Sequence, residues 1–262
     1  MSEKDLDAAR QTFRVAFVPG VTPDKWFRLW RERVSGAELI AVPLEDAAGQ
    51  DTVLSEGRAD MLLGRLPLDD EGLHVIPLYS ESPVVVAAKG HTVEAATTVD
   101  VTELAGEHLI QHPDDVPEWR DVAHEVLEGT RVEGERLTPR QAMEVASSGA
   151  GIVIVPLSVA RQYERKDLIR RPVTGVAETR IGLCWPEAAE SELIEQFIGV
   201  VRGRSPRSTR APGSAEAEQR AAKQRAAQKK DAARQSAERA RERKNAVRAS
   251  RRAAGGRRRG RR

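Results

Sequence analysis

The chain has 262 residues, 42 Lys and Arg against 40 Asp and Glu, and one cysteine, which excludes an internal disulfide. That near balance conceals a division: residues 204–262 carry 21 basic and 5 acidic side chains, a net of +16, whereas residues 1–203 carry 21 and 35, a net of −14. Residues 1–11 lack the apolar stretch a secretion signal requires, and no run approaches the roughly 18 apolar residues of a membrane span, so a cytoplasmic protein without membrane contact is expected.

In chain order, the closely set Phe13, Val15, Ala16, Phe17 and Val18 predict a strand over 13–18 that is covered on both faces. Pro19-Gly20 ends it. Asp24 is placed to cap a helix on which Trp26, Phe27, Trp30 and Val34 form one apolar stripe. Strands over 38–44 and 60–64, with a short helix over 50–56 between them, complete a βαβαβ series, the signal of a mostly parallel sheet. Residues 75–88 read as two extended pieces. A second series follows: a short helix from Thr102, a strand over 108–111, helices over 119–127 and 139–147, a buried strand over 151–155 stopped by Pro156, and a short helix over 157–163. Extended segments over 168–173 and 181–185 and a helix over 191–201 close the globule.

This order predicts an α/β protein of two Rossmann-like lobes joined by extended crossovers. An N-terminal extension (1–12) precedes a globule (13–203), with lobe I over about 13–82 and 176–203 and lobe II over about 83–175. Beyond residue 203 apolar side chains other than Ala nearly vanish, so 204–262 reads as a basic tail, either a solvated helix or disordered. Arg251, Arg252, Arg257, Arg258, Arg259, Arg261 and Arg262 concentrate charge at its end. With no aromatic residue to stack on bases, they predict contact with nucleic-acid phosphates without sequence reading. The alternatives are a solvated charge run, or attraction of the tail to the acidic globule.

Four blocks carry a resemblance. They are Leu54-Ser55-Glu56-Gly57-Arg58-Ala59-Asp60-Met61-Leu62-Leu63, then Pro77-Leu78-Tyr79-Ser80-Glu81-Ser82-Pro83-Val84-Val85-Val86, and then His91 with Val101-Thr102-Glu103-Leu104. The last is the helix, glycine turn, buried strand and proline from Ala142 through Gly149-Ala150-Gly151 to Pro156. In order and separation these blocks resemble the effector-binding domain of LysR-type transcriptional regulators, which has the fold of type 2 periplasmic-binding proteins. That resemblance implies a small anionic metabolite, a carboxylate foremost, held between the lobes. It also implies a homodimer in which the first-lobe helix packs on the partner's second-lobe helix, here 119–127, so that the Trp26, Phe27 and Trp30 stripe reads as core or as interface. Members normally begin with a winged helix-turn-helix and a linker helix. Only some twelve residues precede the first strand here, so the resemblance covers the sensor and not a DNA-reading domain.

Candidate ligand contacts come from both lobes. The break at Gly20, Val21 and Thr22 leaves amides and the Thr22 hydroxyl for an anionic group, the alternative being a plain strand-to-helix turn. Arg65, closing the third strand, matches a position where the resemblance implies a carboxylate-holding arginine, whose planar fork suits bidentate contact. Its alternative is a surface arginine pairing with Asp69 or Asp70. The run Gln111-His112-Pro113-Asp114-Asp115 falls where the resemblance implies a second-lobe binding loop, with Gln111, His112, Pro113 and Asp114 as its candidate contacts, or it forms a solvated turn. A metal reading of His112 with Asp114 fails on ligand count. Thr138, before Pro139, reads as a helix cap, and Cys184, inside an apolar run, as a buried inert thiol.

Gly149-Ala150-Gly151 follows a helix and precedes a strand, the reverse of a dinucleotide loop, and reads as a tight turn. No nucleophile elbow, P-loop, zinc-protease motif or cysteine pair occurs. The expectation is a binding module without catalytic residues, metal or cofactor. Its rivals are a stand-alone solute-binding protein and a nucleoid-associated structural protein, and dependence on a ligand separates them.

Overall fold

The computed structural model describes residues 11–132 and 134–203. The chain divides into two units, Met1–Arg204 and Ser205–Arg262. The second unit, with the expected basic tail and its seven terminal arginines, lies outside the described residues, as do residues 1–10.

The first unit opens with β1 (Gln11–Phe17), α1 (Asp24–Arg33), β2 (Ala37–Pro43), α2 (Thr52–Ser55), β3 (Met61–Leu66) and β4 (Leu73–Glu81). It continues through β5 (Pro83–Ala88), β6 (Val99–Asp100), α3 (Pro117–Arg120), α4 (His124–Leu127), α5 (Pro139–Ala146), β7 (Val153–Pro156), α6 (Leu157–Gln162) and β8 (Leu168–Thr174). It ends with β9 (Thr179–Pro186) and α7 (Glu192–Val201). The strands form two sheets, ordered β2-β1-β3-β9-β4 and β6-β8-β5-β7. In the first, β1 runs parallel to β2 and β3, while β9 runs antiparallel to β3 and β4. In the second, β5 is antiparallel to both neighbours and β6 is parallel to β8.

Each sheet is covered on both faces, and strand alternation decides which side chain goes where. Phe13, Val15, Met61, Leu63, Ile181 and Leu183 enter one core under α1 and α7, while Ala16, Leu62 and Cys184 enter the opposite one. In the second sheet Val85, Ala87, Ile152 and Ile154 face the Trp119 core, and Val84, Val86, Val153 and Val155 face α5 and α6. A central strand between two cores has no polar face, which is why the sequence runs there are continuously apolar.

The α1 stripe is spent inside the molecule. Trp30 stacks on Phe13 with ring centroids 4.9 Å apart, and Phe197 of α7 lies 5.7 Å from Phe13, 5.8 Å from Trp30 and 6.3 Å from Phe27. Phe27 and Trp30 are buried and Trp26 is half-buried, so the stripe serves the core and does not itself argue for a dimer face.

Several expected elements take a different form, each for a local reason. Asp24 does not cap α1: it is the first helical residue, Pro23 occupies the capping position, and no side-chain cap bond forms. Thr138 does cap α5, its Oγ1 accepting from Gln141 N while Gln141 Oε1 accepts from Thr138 N. The strand expected over 108–111 is reduced to one bridge, Leu109 with Ile152. One rung further on, the Gln111 side chain replaces the backbone as partner of Ile154. The helix expected over 119–127 is broken into α3 and α4, because the chain turns extended at Ala123 and His124 N donates to the Ala105 carbonyl at 2.8 Å. Gly151 is required by packing, since a Cβ there would collide with the His108 carbonyl. Among the described residues no helix is long and apolar enough to cross a membrane.

Two measurements check this packing. Phe197→Ala removes the ring that touches three others and should destabilise the protein by about 3–5 kcal/mol in urea unfolding, with Trp26→Ala costing clearly less. Burial pushes the Cys184 thiol up to about 12 from its ordinary 9.0. The native protein should therefore resist a thiol reagent at pH 8 and react only on unfolding. The folded pKa lies above the unfolded one, so this contribution to stability is intact below about pH 9 and is lost as pH rises towards 12.

Candidate functional site

The chain passes from the first sheet to the second at Ser82 and returns over residues 175–178. The two crossovers touch, Ser82 Oγ donating to Glu178 Oε1 at 3.3 Å. Beside them lies a cleft of about 330 Å³ lined by Pro19, Asp46 and Arg65 of the first lobe and by Gln111, Arg136 and Ile154 of the second.

Arg65, next to last in β3, enters this cleft with 15% of its side chain exposed. Its Nη2 donates to Glu81 Oε2 at 2.9 Å and to the Pro19 carbonyl at 3.3 Å. Glu81, only 6% exposed, is the last residue of β4 before the crossover. Arg65 Nε is buried with no hydrogen-bond partner among the described residues. A buried charged donor left unpaired is costly, so the site holds a guanidinium whose charge is balanced but whose donor capacity is not used up. Nearby Tyr79 is pushed up to about 12 by burial and by the Glu81 carboxylate, against the opposing pull of Arg65.

Buried polar side chains gather at this seam. Gln50, Glu81 and Gln111 are the buried polar or charged residues among those described. Gln50 clamps the Arg65 backbone, Oε1 accepting from Arg65 N and Nε2 donating to Arg65 O, both at 2.8 Å. Gln111 clamps Ile154 in the same way, again with two bonds of 2.8 Å. In each lobe a glutamine amide thus replaces a missing strand rung at the cleft edge.

On the second-lobe side Arg136 Nη1 donates to Asp115 Oδ1 at 2.8 Å. Burial raises the Asp115 carboxyl above the ordinary range despite the Arg136 charge.

The residues singled out from sequence are divided by the structure. Arg65 and Gln111 line the cleft, though the Gln111 amide is fully engaged with Ile154. Arg65 pairs with Glu81 rather than with Asp69 or Asp70. Gly20 and Val21 are buried beside the cleft and Thr22 is exposed, while Pro19 supplies the lining from that loop. His112, Pro113 and Asp114 line a neighbouring second-lobe cavity of about 710 Å³, and Arg136 and Leu137 border both spaces. His112 Nδ1 there accepts from Asp114 N, and the hydrogen bond from Arg120 holds Asp114 below the usual carboxylate range. Glu81 and Arg136 were not anticipated, and Asp115 belongs to the expected second-lobe loop without being singled out as a contact. The signal for Glu81 was an acid set two residues before the apolar run from Pro83.

Comparison with known proteins agrees with this architecture. The chain is 27% identical over 161 residues to the HTH-type transcriptional regulator CatR of Pseudomonas putida, covering 59% of this chain and 55% of that one, so it spans about half the length of that regulator. The effector-binding domain of a BenM variant superposes with a TM-score of 0.61 at 22% identity, covering 74% of this chain and 94% of that one. The BenM effector-binding domain with its effector benzoate superposes at 0.54 and 19% identity, covering 78% and 99%. The model of the LysR substrate binding domain matches residues 7–206, and the chain belongs to that family.

Proposed function

We propose that this chain is the effector-binding module of a LysR-type regulator acting in the cytoplasm, and that it holds a small carboxylate between its lobes without transforming it. The observation that carries the reading is Arg65: a guanidinium at the cleft, neutralised by Glu81, and with its side-chain hydrogen bonds among the described residues all made by Nη2, leaving Nη1 without one. An arriving carboxylate would find a charged donor already oriented, since Gln50 fixes the Arg65 backbone and Pro19 its fork. The cleft volume of about 330 Å³ is at the small end of ligand pockets, which run from roughly 300 to 1,000 Å³. That favours ligands the size of benzoate, the effector held by the structurally similar BenM domain.

The basic tail and self-association complete the reading. Residues 204–262, with Arg251, Arg252, Arg257, Arg258, Arg259, Arg261 and Arg262, engage nucleic-acid phosphates without reading sequence. A homodimer forms through surfaces other than the buried part of the α1 stripe, and sedimentation at roughly tens of micromolar tests it directly.

A thermal-shift panel of aromatic and aliphatic carboxylates tests the ligand class. A ligand at 100 times its Kd should stabilise the protein by about 2.7 kcal/mol, and a panel with no stabilising member would end the proposal. Arg65→Ala alone strands a buried Glu81 carboxylate, so the diagnostic variant is Arg65→Gln with Glu81→Gln. It should fold and lose roughly 10- to 150-fold in affinity for any carboxylate that binds the native protein. Unchanged affinity would put the anion contact elsewhere.

For the tail, binding of the full chain to unrelated duplexes should weaken by roughly 10³–10⁵ between 50 and 200 mM salt if about 6–10 phosphates are engaged. A 1–203 fragment should not bind. Equal retention of both would place the contact in the globule.

A further inference from the structure

Helix α6 belongs to the second lobe, yet groups on either side of Arg65 hold both of its ends. At its start, Leu157 N donates to the Ser82 carbonyl at 3.0 Å. At its end, Gln162 Oε1 accepts a hydrogen bond from Gly20 N. The Arg65 guanidinium binds the Pro19 carbonyl and the Glu81 carboxylate. Pro19 O and Gly20 N are the two ends of one peptide group, and Glu81 and Ser82 are covalent neighbours. Both acceptors of the first-lobe cation are therefore rigidly joined to the two groups that grip the second-lobe helix.

The contact at Gly20 is close. Its φ is +91°, in the region glycine favours, and a Cβ there would collide with Ser158 Oγ and meet Val159 N at 3.0 Å. Ser158 Oγ is itself buried without a partner among the described residues. Two of the four such side-chain atoms among the described residues, Arg65 Nε and Ser158 Oγ, belong to residues that lie beside the same peptide. A peptide pulled at its oxygen by a cation and at its N–H by an amide oxygen is polarised so that each bond strengthens the other.

We propose that Gln162 is a positioning residue of the ligand site. It latches the second lobe onto the Pro19-Gly20 peptide, and so sets how far the lobes close over Arg65. Gln162 itself lies outside the cleft lining and is largely exposed, so its replacement leaves the cores intact. The inference rests on the proposed cleft for its ligand arm only.

The test uses the full chain in three forms: native, Gln162→Leu, which keeps the bulk and loses the acceptor, and Gln162→Glu, which keeps an acceptor. Spin labels go on cysteines introduced at the exposed Glu32 of α1 and Arg140 of α5, with the buried Cys184 left unlabelled. Without ligand, the native chain and the Glu form should give one narrow interlobe distance. The Leu form should give a broader, longer distribution, and exchange of the Gly20 amide should quicken roughly two- to tenfold. Identical distributions and exchange in the Leu form would overturn the latch whatever binds in the cleft. In a second arm, benzoate affinity should fall in the Leu form and recover in the Glu form. Failure of benzoate to bind the native protein would count against the proposed ligand and leave the ligand-free comparison to decide the latch.

Discussion

A guanidinium set at the seam of two sheets must be neutralised, and most of what is distinctive in this molecule follows from how that is done for Arg65. Glu81 supplies the opposite charge from the strand that leads into the crossover, 2.9 Å away and itself buried. Buried ion pairs rarely add stability over an apolar pair of similar size, because desolvation offsets the attraction. The pair therefore makes poor sense as cement. It makes sense as a means of keeping a cation at low water exposure with donors left over, the condition under which an anion is held most firmly.

The surrounding backbone is arranged to keep that cation still. Gln50 on the first lobe and Gln111 on the second each replace a strand rung with a side-chain amide, so the strands reach the cleft without stranded backbone groups at Arg65 and Ile154. Sheets that stopped there unpaired would lose both order and stability. Terminated by glutamine, they leave a small polar-edged space between two apolar lobes, the common form of a ligand site.

Much of this was legible in the sequence because strands buried on both faces leave continuous apolar runs and helices leave stripes. β1, β3, β5, β7 and β9 all announced themselves in that way, and Thr138 before Pro139 announced the start of α5. What was not legible depended on partners far apart in the chain. The interruption between α3 and α4 follows from a bond to Ala105, and the loss of the strand at 108–111 from a side chain that substitutes for backbone. At the site, Arg65 could be read because it closes a strand, whereas Glu81 could not be paired with it across 16 residues. Arg136 and Asp115 meet through a stretch with no periodic pattern. The loop Gly20-Val21-Thr22 reads equally well as an anion cradle or a turn, and the packing of Gly20 against α6 is what distinguishes its role.

In the proposed function the unengaged donors of the Arg65 guanidinium receive a carboxylate. That is tested most directly by following the Arg65 guanidinium N–H resonances, assigned by substitution, while a carboxylate panel is titrated. One or more members should produce a saturable downfield shift and slowed exchange of those protons, as expected when an unpartnered donor gains a charged acceptor. A carboxylate that binds tightly while every Arg65 guanidinium resonance stays where it was would contradict the proposed function.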